Sequence, residues 1–340
     1  MHARSARTII AAGLAVIAGT AALPAFAAEW KPAQPIRIIV PWAAGGSTDR
    51  LIRVIAGELQ AAMGQQVVVV NQTGASGSIG TKAALDSPRD GYTFTAGAVQ
   101  DLGAYGTLGL LDISIKDWHL FLAVRNAPLV TVNNDTPYQT FADLIDGMKK
   151  NPGKISVGTS GIPSAAHTAF EAISKVADIK YRHVSYDGDA PTMVALVSGE
   201  IQATAQPAPG QSEMVRAKRV RPLAVVADLP LDIEGVGQIP PVTKTLPSFK
   251  APGVVLLVGI FLPRGVPAEA VAAYEKAWKE RMTTSAALKK YAAQNGSLFA
   301  PAYGEEAQRL ADPAVREVVW LHADGGRAKV SPDKLGIARP

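Results

Sequence analysis

Short apolar runs alternate along the chain with stretches whose apolar residues recur every three or four positions, the pattern of strands interleaved with helices. Residues 36–40, Ile-Arg-Ile-Ile-Val, read as a buried strand. It leads into Pro41-Trp42-Ala43-Ala44-Gly45-Gly46, and Ser47 stands where a helix cap is expected. Leu51, Ile55, Leu59 and Ala62 then share one helical face, and Gly64 ends the element. Residues 67–70 predict a second strand, followed by a glycine-rich loop at 74–80. Asp90-Gly91 predicts a turn before a strand at 92–95.

The same alternation continues. Residues 129–132 read as a strand, and Thr140 caps a helix with Phe141, Leu144, Ile145 and Met148 inward, stopped by Pro152-Gly153. A strand at 155–158 is followed by Ser164, which opens a helix bearing Ala166, Phe170, Ile173 and Ala177 on one face. Residues 182–184 predict a strand, Pro191 and Gly199 bracket a helix, and 201–205 and 223–226 predict two more strands. Residues 229–252 are rich in Pro and Gly and suit an irregular return path. Beyond them come a strand at 254–261, a helix from Pro267 carrying Val271, Tyr274 and Trp278, and two short helices.

These elements form two α/β blocks, 28–130 and 131–235. The segment 236–340 has one strand and surplus helix, so it is expected to return and complete the first block. Two crossings, near Thr131 and Leu229, leave a cleft between lobes. Ligands in open α/β sheets bind beyond the carboxyl ends of strands. That rule places loops 41–49, 97–101, 159–164 and 186–190 at the cleft.

Composition narrows the class. The chain has 340 residues, 48% of them hydrophobic, enough for a sizeable core, and 19% charged, too few for a disordered tail. Its net charge of +5 comes from scattered Lys and Arg with no basic run interleaved with aromatics, so no nucleic-acid partner is expected. Arg4 and Arg7, the uncharged apolar run 9–23, Pro24 and Ala25-Phe26-Ala27 make a secretory leader cleaved after Ala27. Losing Arg4 and Arg7 takes the net charge from +5 to +3. With no later apolar segment long enough to span a bilayer, the expectation is an exported periplasmic protein. The chain has no Cys, so disulfides, a lipid-anchoring cysteine and thiolate metal sites are excluded.

Two helix starts carry the candidate chemistry. Ala44-Gly45-Gly46-Ser47-Thr48-Asp49 follows a strand and opens a helix, where free N–H groups can donate to a carboxylate or phosphate. Gly161-Ile162-Pro163-Ser164-Ala165-Ala166-His167 repeats the arrangement in the second block. Facing one cleft, the two make a clamp for a small anion; each alone also reads as a capped turn. Trp42 suits either the core or the pocket floor. The loop 74–80 has the wrong spacing for a dinucleotide fingerprint, and no phosphate loop occurs, so no cofactor is expected. The five histidines have no metal-site spacing, and no metal is expected. A serine hydrolase lacks its Gly-x-Ser-x-Gly elbow. The alternative it leaves is an exported hydrolase using Ser164 and His167, three apart on one helix, with Asp187 or Asp189 as orienting acid.

In order and spacing, several motifs together resemble one family. They are Pro35-Ile36-Arg37-Ile38-Ile39-Val40-Pro41 with 44–49, Val69-Val70-Asn71 with Gly74-Ala75, and Asp90-Gly91-Tyr92-Thr93. Pro152-Gly153-Lys154-Ile155, the segment 160–167, Tyr186-x-Gly188-x-Ala190-Pro191 and Leu262-Pro263-Arg264-Gly265-Val266-Pro267 follow. The chain resembles the substrate-binding proteins of tripartite tricarboxylate transporters, the TctC or Bug family, over nearly its whole length after the leader.

The resemblance implies a two-lobed periplasmic binding protein of the type II-like class, acting without catalysis as a monomer. It would close on a small organic carboxylate, such as a di- or tricarboxylate or an aromatic dicarboxylate, and deliver it to integral-membrane permease subunits. It also implies that Trp42, Ala43, Ala44, Gly45, Gly46, Ser47 and Asp49 bind one end of the ligand, and Ser160, Gly161, Ser164, Ala165 and His167 the other. Two positions depart from the family pattern. Asp187 stands where Lys or Arg is frequent, and Gln206 where an Asp often follows the strand; Gln206 is expected to serve a distal carboxylate or amide. A sensor that docks on a signalling kinase is the remaining alternative.

Overall fold

The computed structural model describes residues 30–250 and 254–340. The leader assigned to residues 1–27 lies outside them. Among the described residues no helix is long and apolar enough to cross a membrane.

The chain opens with β1 (Ile36–Val40), α1 (Ser47–Met63), β2 (Val67–Asn71), α2 (Ser78–Leu85), β3 (Thr93–Ala98), α3 (Val99–Leu108) and β4 (Trp118–Asn126). It then enters a second sheet through β5 (Leu129–Asn133), α4 (Phe141–Lys150), β6 (Ser156–Thr159), α5 (Ala165–Ala177), β7 (Arg182–Ser185), α6 (Asp189–Ser198), β8 (Ala203–Thr204), α7 (Ala208–Arg216) and β9 (Val220–Val225). A small antiparallel hairpin, β10 (Leu231–Ile233) and β11 (Gly237–Ile239), follows. β12 (Leu256–Pro263), α8 (Ala268–Glu280), α9 (Ala286–Asn295), β13 (Ser297–Tyr303) and α10 (Gly304–Asp324) complete the chain.

The first sheet has the order β13-β4-β12-β3-β1-β2 and the second β7-β6-β8-β5-β9. Each is mixed. β2, β1 and β3 run parallel, as do β7, β6 and β8, while β12 and β5 pair antiparallel with their neighbours. Strands β12 and β13 therefore return to the first sheet. The return comes later than residue 236, because Val242, Phe249 and Val254 pack into the core beneath the second sheet.

Local signals explain the helices. Leu51, Ile55 and Leu59 of α1 are fully buried, each contributing about 1.5–3 kcal/mol by burial. Gly64 takes the left-handed conformation (φ 66°) that ends the helix. Ala62, expected on the same buried face, is exposed. Thr140 and Asp143 form a reciprocal capping box at α4. The first core is aromatic: Tyr274 meets Phe94 edge to face at 4.9 Å, and Trp278 Nε1 donates to Leu122 O across 2.8 Å.

Candidate functional site

The carboxyl ends of β1 and β3 face those of β6, β7 and β8 across the space between the lobes. A small cavity lies there, lined by Trp42, Ser47, Asp101, Ser160, Asp189 and Gln206 among others. Its volume is about 30 Å³, against the 300 Å³ or more of an ordinary ligand pocket. Admitting an organic molecule therefore requires the lobes to part.

The lobes are held together on both sides of this cavity. Arg50 of α1 pairs with Glu213 of α7 at 2.8 Å and donates to Pro209 O. Ser212 Oγ donates to Asn295 Oδ1 at 3.0 Å. At the other edge, α5 meets α10 and the turn after it. Arg327 there pairs with Glu171 at 3.0 Å, and Lys175 with Asp324 at 3.2 Å.

Asp189 is the centre of the interlobe contact. Its Oδ2 accepts from Ser47 N at 3.0 Å and from Ser47 Oγ, while its Oδ1 accepts from Ser160 Oγ at 3.3 Å. Gln206 is assigned with its amide nitrogen toward Asp189 Oδ1 at 2.7 Å, since the reverse would set two oxygens against each other. Burial pushes the Asp189 carboxyl up from its ordinary value, opposed by the hydrogen bonds from Ser47 and Ser160. Gly188 makes this approach possible: its φ is 126°, and an added Cβ would lie 3.1 Å from Ala43 N.

Asp101, in the first turn of α3, brings a second carboxyl to the same cavity. Burial pushes it up to about 8, with a smaller push from the Asp189 charge. Among the described residues, no Lys, Arg or His lines it. The sequence placed loops 97–101 and 186–190 at the cleft but singled out neither Asp101 nor Asp189 as ligand-facing. Asn126, Pro207, Leu256 and Val258 also line the cavity and were not singled out. Asp187, the carboxylate that drew attention in the sequence, is exposed.

Of the residues read as ligand-binding, Trp42, Ser47, Ser160, Ser164, Ala165 and Gln206 stand on the cavity wall. Others do not. Asp49 turns back into its own lobe, accepting from Gly45 N (2.9 Å), Arg53 Nε (3.0 Å) and Asn71 Nδ2 (2.9 Å). Burial raises its carboxyl, but these bonds outweigh burial and hold it below the ordinary range. Asp49 thus fixes the loop and does not face the cavity. Ala44 and Gly45 are exposed, Ala43 packs against Gly188, and Gly46 is the N-cap of α1. Gly161 donates its N–H to Thr159 Oγ1 at 3.2 Å.

His167 is the clearest correction. Its backbone N–H donates to Ser164 Oγ at 3.3 Å, which caps α5, but its ring is fully buried away from the cavity. The ring stacks on His322 of α10 at 5.7 Å and lies 5.2 Å from His183. Neither ring nitrogen has a hydrogen-bond partner among the described residues. Burial, helped by the nearby His322 and Arg327, pushes His167 down to about 2. Ser164 and His167 are therefore not set as nucleophile and base, and Asp189 orients neither. The sequence could not show this, because the face His167 presents depends on where α10 returns. Among the described residues no group of three His, Asp or Glu is arranged to hold a metal ion.

Comparison with known proteins gives the geometry a context. A family model described as "Tripartite tricarboxylate transporter family receptor" matches residues 51–319. Protein BugT of Bordetella pertussis is 33% identical over 225 residues, covering 65% of this chain and 69% of that protein. A UPF0065 protein from the tcbD-tcbE intergenic region of a Pseudomonas species is 29% identical over 271 residues, covering 78% of this chain and 79% of its own. Among solved structures, R. palustris Rpa4515 with adipate superposes with a TM-score of 0.78 at 24% identity, over 87% of this chain and 99% of that one. MatC from Rhodopseudomonas palustris with bound malate gives 0.74 at 21% identity, over 85% and 99%. The shared fold is that of two-lobed periplasmic binding proteins.

Proposed function

The chain belongs to the tripartite tricarboxylate transporter receptor family, and from that premise we propose that it is a periplasmic solute-binding protein for a small organic carboxylate. It closes its two lobes on the ligand and delivers it, as a monomer, to membrane permease subunits. The observation that carries this reading is the convergence of two helix starts on one interlobe cavity. The start of α5 supplies Ser164, the amide of Ala165 and, one loop earlier, Ser160. In α5 the first N–H in the helical ladder is that of Thr168, bonded to Ser164 O at 2.9 Å. The amides of Ala165 and Ala166 precede it and are suited to an anion. Trp42 offers an apolar face for the body of the ligand. Proteins of this fold that hold adipate and malate agree with an organic acid as the ligand class.

A thermal-shift screen against organic acids, aromatic dicarboxylates, amides and amino acids tests the reading. A ligand at 100 times its Kd adds about 2.7 kcal/mol of stability. At least one acid should raise the melting temperature, and Ser160→Ala and Ser164→Ala should each reduce that shift. Silence from every acid, with ester turnover that Ser164→Ala abolishes, would instead establish the hydrolase.

A further inference from the structure

The second lobe reaches into the first with a carboxylate of its own. Asp189, the first residue of α6, has both oxygens engaged: Oδ2 by the Ser47 amide and hydroxyl, Oδ1 by Ser160 and Gln206. This is the arrangement a ligand carboxylate would take at the start of α1. An added Cβ at Gly210 would come within 2.9 Å of Asp189 Oδ2, and one at Gly46 within 3.6 Å of Asp189 Cβ, so the carboxylate sits in a fitted slot. The helix start that sequence reading gave to the ligand is satisfied from within the chain.

We infer that Asp189 is a specificity-determining residue that fills the anion position at α1, so the ligand presents a single carboxylate, to the α5 start, and turns a hydrogen-bond-donating group, ammonium or amide, toward Asp189 and Asp101. This rests on the carboxylate-receptor reading and narrows it. Three observations support it. The described residues that line the cavity include the Asp189 carboxylate and no cationic side chain, so a second ligand carboxylate would stand against that charge with no lining Lys or Arg to offset it. Asp101 accepts no hydrogen bond from the described residues, and even as the protonated carboxyl that burial favours it keeps a carbonyl oxygen free for a ligand donor. The Gln206 amide gives Asp189 Oδ1 a donor at 2.7 Å where a carboxylate would repel it.

Calorimetric titration with linear acids of four to six carbons tests the inference. Each length is supplied as the diacid, the ω-amide acid and the ω-amino acid, which differ only at the far end. The wild-type protein should bind an ω-amino or ω-amide acid at least about tenfold more tightly than the diacid of equal length. Asp189→Asn and Asp189→Gly, which remove the charge, should shrink that ratio at least about fivefold, with the diacid gaining. A wild-type preference for the diacid overturns the inference and leaves the receptor reading standing. A preference for the ω-substituted acids that both folded variants retain overturns the role of Asp189. Failure of every linear acid to bind any of the three proteins overturns the inference, while the wider acid screen above still decides the carboxylate reading. Should neither variant fold, the wild-type ranking still decides against the inference if the diacid leads.

Discussion

At the start of α1 the first amide, that of Ser47, donates to a carboxylate that arrives from the opposite lobe. At the start of α5 the cap is local, with Ser164 Oγ accepting from His167 N–H. Both follow a strand and a glycine-bearing loop, and both carry a serine beside the cavity. They differ in what satisfies them. The α1 start has a partner only while the lobes are together, whereas the α5 start is capped whether they are together or apart. A helix N-terminus thus marks a place for negative charge without saying whether ligand or protein supplies it. Here one start is met by the protein's own carboxylate from the opposite lobe, and the other is the one the proposed function gives to the solute.

The largest expected effect comes from breaking the α1 side. Gln206→Asp sets a second carboxylate against Asp189, and like charges 4 Å apart cost about 4 kcal/mol at an effective dielectric near 20. Chemical denaturation at pH 8 should show a loss of about 2–4 kcal/mol, shrinking at pH 5 as the pair takes up a proton. An equal loss at both pH values would mean that position 206 does not face Asp189.

The next prediction sharpens the electrostatics of the same wall. Asp101 has its folded value raised from 3.8 to about 8, so between those values the folded protein holds a proton that the unfolded chain has released. Stability from this group is full below about pH 4 and falls as pH rises toward 8, by at most about 1.4 kcal/mol per pH unit. Asp101→Asn should remove that slope and raise stability at pH 8, as read by unfolding midpoints from pH 4 to 8.

The smallest effect tests the α5 side. Ser164→Ala removes a local cap and should cost about 1 kcal/mol, with no dependence on Asp189. A loss that vanishes in the Asp189→Ala background would show that the two starts are coupled and the contrast between them mistaken.

Much of this fold was legible in the sequence where a signal is local. Thr140 with Asp143, Gly64 and Gly199 mark helix ends by their own chemistry, and α1 and α4 follow from apolar spacing alone. β4 and β13 carry no such local signal. β4 lies between β12 and β13 and is buried on nearly all its positions, so it shows no alternation to distinguish it from any other apolar run. β13 breaks its pairing register between Phe299 and Ala302, which blurs the period of two.

The site divides the same way. Ser47, Ser160, Ser164 and Gln206 follow strand ends, and the structure sets them on the cavity wall. Asp189 entered only as an orienting acid of the hydrolase alternative, on equal terms with Asp187, because the path of their loop does not follow from local spacing. The glycine at 188, with its positive φ, turns the chain so that residue 187 points outward and 189 inward. That glycine was the available signal.

A double-mutant cycle on Ser47→Ala and Asp189→Ala, read by denaturant unfolding at pH 7, tests most directly whether the α1 start is filled from the opposite lobe. Hydrogen bonds to a charged group contribute about 1.5–3 kcal/mol, and the Ser47 hydroxyl supplies one of those made to Asp189. The account predicts a coupling of at least about 1 kcal/mol. Losses that add to within about 0.5 kcal/mol would contradict it and return the α1 start to the ligand.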